Sequence, residues 1–230
     1  MKSEKGPEHV AIILDGNRRF AKRLMLEPWK GHEHGKEKVK KMLEYAKDFG
    51  VKELTFYALS VENINFRPKD ELEFLYNLFR EMFKEMDLGE LKEDKIKMRF
   101  IGNLDLLPSD LKERCLELEK ETSENNNFIV NFCVAYGGRQ EIVEAVRKIL
   151  KNKINIEDVD EELVGNYLLL NDEPDMVIRT GGEKRTSNFL PWQTVYSEFI
   201  FLDKFWPEFE KEDLADCIEE FKKRKRRFGV

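Results

Sequence analysis

A chain of 230 residues, 41% hydrophobic and 37% charged, with a formal charge of −6, can bury a large core and is too acidic for a general nucleic-acid binder, though not for a local anion site. The polar start Met1-Lys2-Ser3-Glu4-Lys5-Gly6-Pro7 argues against a signal peptide, and no apolar run approaches the roughly 20 residues of a membrane span. Cys115, Cys133 and Cys217 are widely spaced and lack a CxxC motif or a nearby histidine, so they read as reduced core thiols of a soluble cytoplasmic protein.

Residues 10–14 are uncharged, rich in β-branched side chains and too few for a buried helix; they predict a central strand of a parallel sheet. Asp15-Gly16-Asn17 then supplies a turn, and Arg18-Arg19-Phe20 opens a helix-compatible segment. One carboxylate, a flexible backbone and two guanidiniums thus stand at the carboxyl end of a core strand, the edge where open α/β sheets bind ligands. A carboxylate among arginines suits a phosphate only if a divalent cation bridges them, which points to a magnesium-bridged diphosphate; a turn with a solvated arginine pair is the plainer alternative.

Proline and glycine make 25–31 a loop. His32 and His34 follow as an H-x-H pair; without further His or Cys nearby, a phosphate contact for one and a surface position for the other suit them better than a shared metal. Val39, Met42, Leu43, Ala46 and Phe49 recur at helical spacing, with Gly50 placed to end the helix. The next strand, 54–59, ends on Ser60-Val61-Glu62-Asn63 and a loop to Arg67-Pro68, so a second strand brings polar groups to the same edge. The helix over 69–86 is apolar on more than one side: Leu72, Leu75, Phe79, Met82 and Met86 serve a core, while Phe74 and Leu78 widen the stripe. The extra side chains fit a subunit contact or a second core layer, or else the wall of a tunnel for a long hydrocarbon.

Strand 96–101 alternates charged and apolar residues as near a sheet edge, and Ser109 is placed to cap the helix of Leu111, Cys115 and Leu118. Strand 128–135 runs into Tyr136-Gly137-Gly138-Arg139, whose glycines allow close approach of an anion or meet a purely steric need. No P-loop is present and no GxGxxG follows a strand, so nucleotide binding lacks support. The short strand 175–179 leads directly into a loop in which Arg179, Arg185 and Ser187 offer forked donors and a hydroxyl to a diphosphate. Glu198, a lone acid opening strand 198–202, is a candidate second carboxylate for the cation. The last helix carries Leu214, Cys217, Ile218 and Phe221 on one face and ends in a basic tail, 222–227, suited to a helix terminus, to anionic lipid or to a phosphate. Without a Pro/Gly/Ser-rich linker, residues 1–230 predict one α/β domain with a six-stranded, mostly parallel sheet flanked by helices.

Together these residues resemble the cis-prenyltransferases, the undecaprenyl diphosphate synthase family, over nearly the whole chain. The resemblance rests on His9-Val10-Ala11-Ile12-Ile13-Leu14-Asp15-Gly16-Asn17, Gly31-His32, Tyr57-Ala58-Leu59-Ser60-Val61-Glu62-Asn63 and Asn131 with Tyr136-Gly137-Gly138-Arg139. It continues through Val177-Ile178-Arg179-Thr180-Gly181-Gly182-Glu183, Ser187-Asn188-Phe189 with Trp192-Gln193, and Arg226-Arg227-Phe228-Gly229. The aspartate-rich motifs of trans-prenyltransferases are not matched, since the chain has no Asp-Asp pair.

The resemblance implies Mg²⁺-dependent, repeated condensation of isopentenyl diphosphate onto an allylic diphosphate, farnesyl or geranylgeranyl, with a new cis double bond at each step. The product would be a polyprenyl diphosphate precursor of a glycosyl carrier lipid, grown in a hydrophobic tunnel along 69–86. Asp15 would hold Mg²⁺; Gly16, Asn17, Arg18, Arg19, Phe20, His32 and Arg67 would bind the allylic diphosphate, with Ser60, Val61 and Glu62 framing the next loop. Arg179, Arg185, Thr186 and Ser187 would bind isopentenyl diphosphate, and Glu198 would contribute to the metal. Asn63 matches the family's assigned proton acceptor, but a neutral amide is a poor base, so positioning, with a diphosphate oxygen taking the proton, is chemically easier. The family also implies a homodimer in which Arg227 and Gly229 reach the neighbouring subunit's site, peripheral membrane contact for product release, and no nucleic-acid partner. Arg18 stands where many bacterial members have glycine, and the charge-rich composition contains only Gln140 and Gln193 as glutamines; both lean towards an archaeal, hot-environment source. Pro28 replaces a basic residue of many members, with Lys30 placed to substitute, and the loop before Arg67 is one residue longer than in bacterial members. A non-catalytic accessory subunit is the alternative reading; such subunits tend to lose the aspartate and arginines that stand here.

Overall fold

In the computed structural model, which describes residues 5–86 and 88–224, six strands form one sheet: β1 (His9–Ile13), β2 (Glu53–Ser60), β3 (Ile96–Ile101), β4 (Phe128–Tyr136), β5 (Met176–Arg179) and β6 (Glu198–Phe201). Their spatial order is β3-β4-β2-β1-β5-β6, and every neighbouring pair is parallel, so the sheet expected to be mostly parallel is wholly so. The connections between strands carry α1 (Asn17–Arg23), α2 (Gly31–Asp48), α3 (Val61–Phe66), α4 (Lys69–Glu85), α5 (Leu88–Glu93), α6 (Ser109–Glu121), α7 (Gly138–Lys151) and α8 (Glu161–Tyr167), and α9 (Lys211–Lys223) follows β6.

β1 is buried throughout, and apolar from Val10 onward, because both its faces are covered. Side chains alternate across the strand. Val10 and Ile12 enter the larger core, with Met42 of α2, Leu75 and Phe79 of α4 and Leu214 of α9. Ala11 and Ile13 enter a smaller one, with Val177, Leu170 and Phe189. The chain first builds outward from β1 on one side, as β2, β4 and β3, and then returns to add β5 and β6 on the other. This reversal makes the carboxyl ends of β1, β2 and β5 the switch point of the sheet, where a cleft opens.

Local departures from the sequence reading have local causes. Residues 61–66 are helical rather than loop, because the Ser60 hydroxyl caps α3 by accepting from the Asn63 N–H at 3.0 Å, and one short turn is too brief to show periodicity. The loop after α1 closes in a 3₁₀ turn at Pro28–Lys30, and α2 begins at Gly31, so both histidines are helical. Ser109 is the first residue of α6, and Pro108 occupies the cap position. Gly137-Gly138 answers a steric need: a Cβ on Gly138 would lie 2.0 Å from Pro191 Cδ, and the Gly138 N–H bonds the Asn188 carbonyl at 2.9 Å. Cys115, Cys133 and Cys217 are buried thiols. Among the described residues no helix is long and apolar enough to cross a membrane.

Candidate active site

At the end of β1 the backbone turns sharply at Gly16, whose φ of +104° and 2.7 Å approach of a virtual Cβ to the Phe205 ring both require glycine. The turn is clamped by Thr180, the residue after β5: its hydroxyl accepts from Asp15 N–H (3.1 Å) and donates to the Asp15 carbonyl (2.7 Å). Held this way, the Asp15 carboxylate points between two arginines. Oδ1 accepts from Gly16 N–H (2.6 Å) and Arg19 Nη2 (3.1 Å), and Oδ2 accepts from Arg179 Nη2 (2.8 Å).

Arg179 ends β5 level with Ile13 and is only 4% exposed. Its Nη1 donates to Ser187 Oγ at 2.8 Å and to the Arg185 carbonyl, while Nε is buried without a partner. The loop that supplies these acceptors has left-handed backbone at Ser187, Asn188 and Leu190. Asn188 fastens it: its amide nitrogen bonds Glu62 Oε1 (2.8 Å) and Gln140 Oε1 (3.1 Å), and its Oδ1 accepts from Arg139 N–H (2.9 Å).

The third side of the cleft is α2, α3 and the start of α4. A Cβ on Gly31 would fall 1.9 Å from the Asn17 carbonyl, so this glycine lets α2 lie against α1 and brings His32 to Asn17. His32 Nε2 lies 3.4 Å from Arg67 Nη1, and Arg67 Nη2 donates to Asn63 Oδ1 at 3.2 Å. Burial, reinforced by Arg67 and Arg18, pushes His32 down to about 3, so the imidazole is neutral and can donate one N–H to an anion without carrying charge. His34 turns away and stacks edge-on with Phe20 at 5.3 Å, so the two histidines do not converge on a metal.

These groups surround a cavity of about 250 Å³ lined by Asp15, Asn17, His32, Ser60, Asn63, Arg67, Arg179 and Ser187, together with Leu75, Leu78, Phe79 and Met82 of α4 and Phe132 of β4. An adjoining cavity of about 330 Å³ adds Gly16, Arg18 and Arg19 to Asp15, Asn17, His32 and Arg67. Polar groups able to grip phosphates therefore adjoin an apolar chamber. Phe20, Val61, Glu62, Arg185 and Thr186 line neither space; the Arg185 side chain is exposed and pairs with Glu183 at 2.5 Å.

One expected partnership requires correction. Glu198 opens β6 in register with Met176, which is level with Val10, five residues before Asp15 and so roughly 16 Å away along the strands. It sits at the amino edge of the sheet and accepts from Arg224 at 2.9 Å. Within one chain Asp15 and Glu198 cannot share an ion. Among the described residues no three His, Cys, Asp or Glu side chains gather to hold a metal. Arg227 and Gly229 lie outside the described residues.

Several contributors escaped the sequence reading. Lys36 lines the cavity one helical turn after His32, a spacing that could have flagged it. Trp206, which no pattern marks, closes the chamber and donates to the Gly35 carbonyl at 2.9 Å, and Thr180, present in the motif 177–183 but given no role there, holds the turn at Asp15.

The chain as a whole is similar to known proteins. Residues 13–229 match the family described as "Putative undecaprenyl diphosphate synthase". The tritrans,polycis-undecaprenyl-diphosphate synthase (geranylgeranyl-diphosphate specific) of Methanopyrus kandleri is 46% identical over 236 residues, covering 100% of this chain and 87% of that protein. The ditrans,polycis-undecaprenyl-diphosphate synthase ((2E,6E)-farnesyl-diphosphate specific) of Micrococcus luteus is 44% identical, covering 97% of this chain and 91% of that protein. The crystal structure of lavandulyl diphosphate synthase from Lavandula x intermedia, in complex with dimethylallyl diphosphate, superposes with a TM-score of 0.92 at 35% identity, over 98% of this chain and 99% of that one. The chain is a prenyltransferase of the undecaprenyl diphosphate synthase family.

Proposed function

We propose that the protein is a cis-polyprenyl diphosphate synthase that adds isopentenyl diphosphate units one by one to an allylic diphosphate. The observation that carries this reading is the placing of Asp15 between Arg19 and Arg179 at the junction of two cation-lined cavities, one of which continues into the apolar wall of α4. Two phosphate subsites flanking one carboxylate suit a reaction between two diphosphates. The allylic diphosphate fits against Arg18, Arg19, Arg67 and the neutral His32, at the start of α1. Isopentenyl diphosphate fits against Arg179 and Ser187, with Arg185 turning in from its exposed position.

Asp15 is a single, partly exposed carboxylate; one carboxylate completed by phosphate oxygens and water is a donor set that Mg²⁺ accepts. Such an ion would neutralise charge on the departing diphosphate. The chain's own groups do the rest. Arg19 and Arg67 steady the leaving diphosphate as its bond to the allylic carbon breaks, and Arg179 holds the isopentenyl double bond towards that carbon. Asn63, fixed by Ser60 and Arg67, orients the reacting groups while a diphosphate oxygen takes up the proton whose loss forms the new double bond. The growing chain would run along Leu75, Leu78, Phe79 and Met82, and the product would leave through peripheral contact with a membrane. Exposed Val143, Val146 and Leu150 of α7, with Val195 and Tyr196, support a homodimer.

The test is incubation with labelled isopentenyl diphosphate and geranyl, farnesyl or geranylgeranyl diphosphate, with and without Mg²⁺, resolving products by length. A Mg²⁺-dependent ladder is expected, with geranylgeranyl diphosphate the best starter by likeness to the Methanopyrus enzyme. Asp15→Ala should abolish it while the protein stays folded. No incorporation with any starter would overturn the reading.

A further inference from the structure

Glu71, in the first turn of α4, is an anion buried beside a pocket that gathers anions. It is 1% exposed, yet neither cavity is lined by it. Its Oε1 lies 3.2 Å from Arg67 Nη1, 3.7 Å from Arg18 Nε and 4.0 Å from His32 Nε2, and no well-directed hydrogen bond closes on that oxygen. A buried carboxylate here repels an incoming diphosphate and carries a desolvation cost. What offsets both is the crowd of donors it faces. Arg67 and Arg18 repel one another, and burial alone already weakens the Arg67 cation. Without a countercharge behind them, the two guanidiniums would separate before a ligand arrived.

We propose that Glu71 is a positioning residue: from behind the site it anchors Arg67 and Arg18 in the orientation that receives the allylic diphosphate, and through Arg67 it fixes the Asn63 amide. The chain of contacts is continuous. Glu71 faces one terminal nitrogen of Arg67, and the other terminal nitrogen donates to Asn63 Oδ1. The guanidinium plane is thereby set at both ends, leaving its cavity-facing donors for phosphate oxygens. Arg179 makes its hydrogen bonds elsewhere, donating to Asp15, Ser187 and the Arg185 carbonyl. The inference rests on Arg67 being an allylic diphosphate contact, as read above.

The experiment is steady-state kinetics with each diphosphate varied in turn, for the parent protein, Glu71→Gln, Arg67→Ala and the double variant. Glu71→Gln is expected to lower kcat/KM for the allylic substrate about tenfold, a size usual for coupled charged neighbours, while KM for isopentenyl diphosphate changes less than about twofold. In the Arg67→Ala background the same substitution should cost clearly less, about threefold at most, because only Arg18 is left for Glu71 to hold. Should Glu71→Gln fail to fold, Glu71→Asp, which keeps the charge and withdraws it by one methylene, carries the test with the same substrate split. Equal losses for both substrates, a loss undiminished in the Arg67→Ala background, or unchanged kinetics would each overturn the proposal. Arg67→Ala with unchanged allylic kcat/KM would instead remove Arg67 from the site, and with it that part of the proposed function.

Discussion

Thr180→Val separates the architecture of the catalytic turn from its charges. The threonine is fully buried, and valine preserves its shape while deleting the hydroxyl that bonds both the N–H and the carbonyl of Asp15. Neither backbone group is orphaned, since Asp15 N–H also reaches the Ile13 carbonyl at 2.9 Å and the Asp15 carbonyl also accepts from Trp206 N–H at 3.0 Å. Two neutral hydrogen bonds are lost without a bare buried group, which costs about 1–2 kcal/mol, at the lower end of the range for such deletions. For a chain of this size that lowers Tm by about 3–6 °C. The functional effect should be larger in proportion. The Asp15 carboxylate is aimed by this turn, and a small displacement of a reacting constellation costs roughly tenfold or more in kcat. Thermal melts and turnover with saturating substrates measure both, and Thr180→Ser, which keeps the hydroxyl, should retain most of each. A lowered Tm with kcat within about twofold of the parent would show that the clamp serves stability alone and refute the positioning argument.

Leu78→Trp places an indole in the 250 Å³ chamber and should shorten the product ladder without abolishing the first condensations; an unaltered ladder would mean that α4 does not line the path of the growing chain. Gly31→Ala drives a methyl into the Asn17 carbonyl, so α2 must move off α1. It should cost about 1–3 kcal/mol and raise the allylic KM more than that of isopentenyl diphosphate, and normal melting with normal kinetics would refute it. Burial raises Glu53 from 4.5 to about 6, so the folded state favours its neutral form; that advantage is complete below pH 4.5 and lost as pH rises through 6. Glu53→Gln should therefore add about 2 kcal/mol of stability at pH 7–8 and almost none below pH 4.5, and denaturant melts at the two pH values that differ by nothing would contradict it.

The strands were legible because β1, β2 and β4 are buried on both faces and therefore read as mainly apolar runs, interrupted only by single polar residues such as Thr55 and Asn131; the expected 10–14, 54–59 and 128–135 fall within a residue or so of their observed ends. The polar residues that follow β1 and β5 were legible for the complementary reason. Acids, arginines and glycines placed straight after a core strand have few structural uses, and Asp15, Arg19 and Arg179 do meet. The sequence could not reveal distance across the sheet. Glu198 begins its strand whereas Asp15 follows its own, and in an all-parallel sheet those positions lie on opposite edges. Applied strictly, the rule that ligands sit at carboxyl ends would have excluded Glu198 as a partner within the chain. The role of Thr180 was hidden for a different reason: it depends on which neighbour the fold supplies, and a threonine carries no local mark of that, whereas Lys36 could have been reached from its place one helical turn after His32.

The charge of the whole chain and the charge of its site have opposite signs, and the fold explains how. Lys36, Arg67 and Arg179 line the main cavity and Arg18 and Arg19 the adjoining one, against the single lining carboxylate of Asp15. An excess of cations this dense is unfavourable in an empty site, since like charges in a partly desolvated cleft repel more strongly than in water. It persists because these cations are held by neighbouring acceptors: Arg179 by Ser187 and the Arg185 carbonyl, Arg67 by Glu71 and Asn63, Lys36 by Glu81 and Glu85. The acidic surface elsewhere keeps the protein from binding polyanions at large, while the local positive field attracts small, highly charged ones. Two diphosphates bring more negative charge than one carboxylate leaves unneutralised here, which is why the same cleft that looks overcharged when empty is matched to a pair of them.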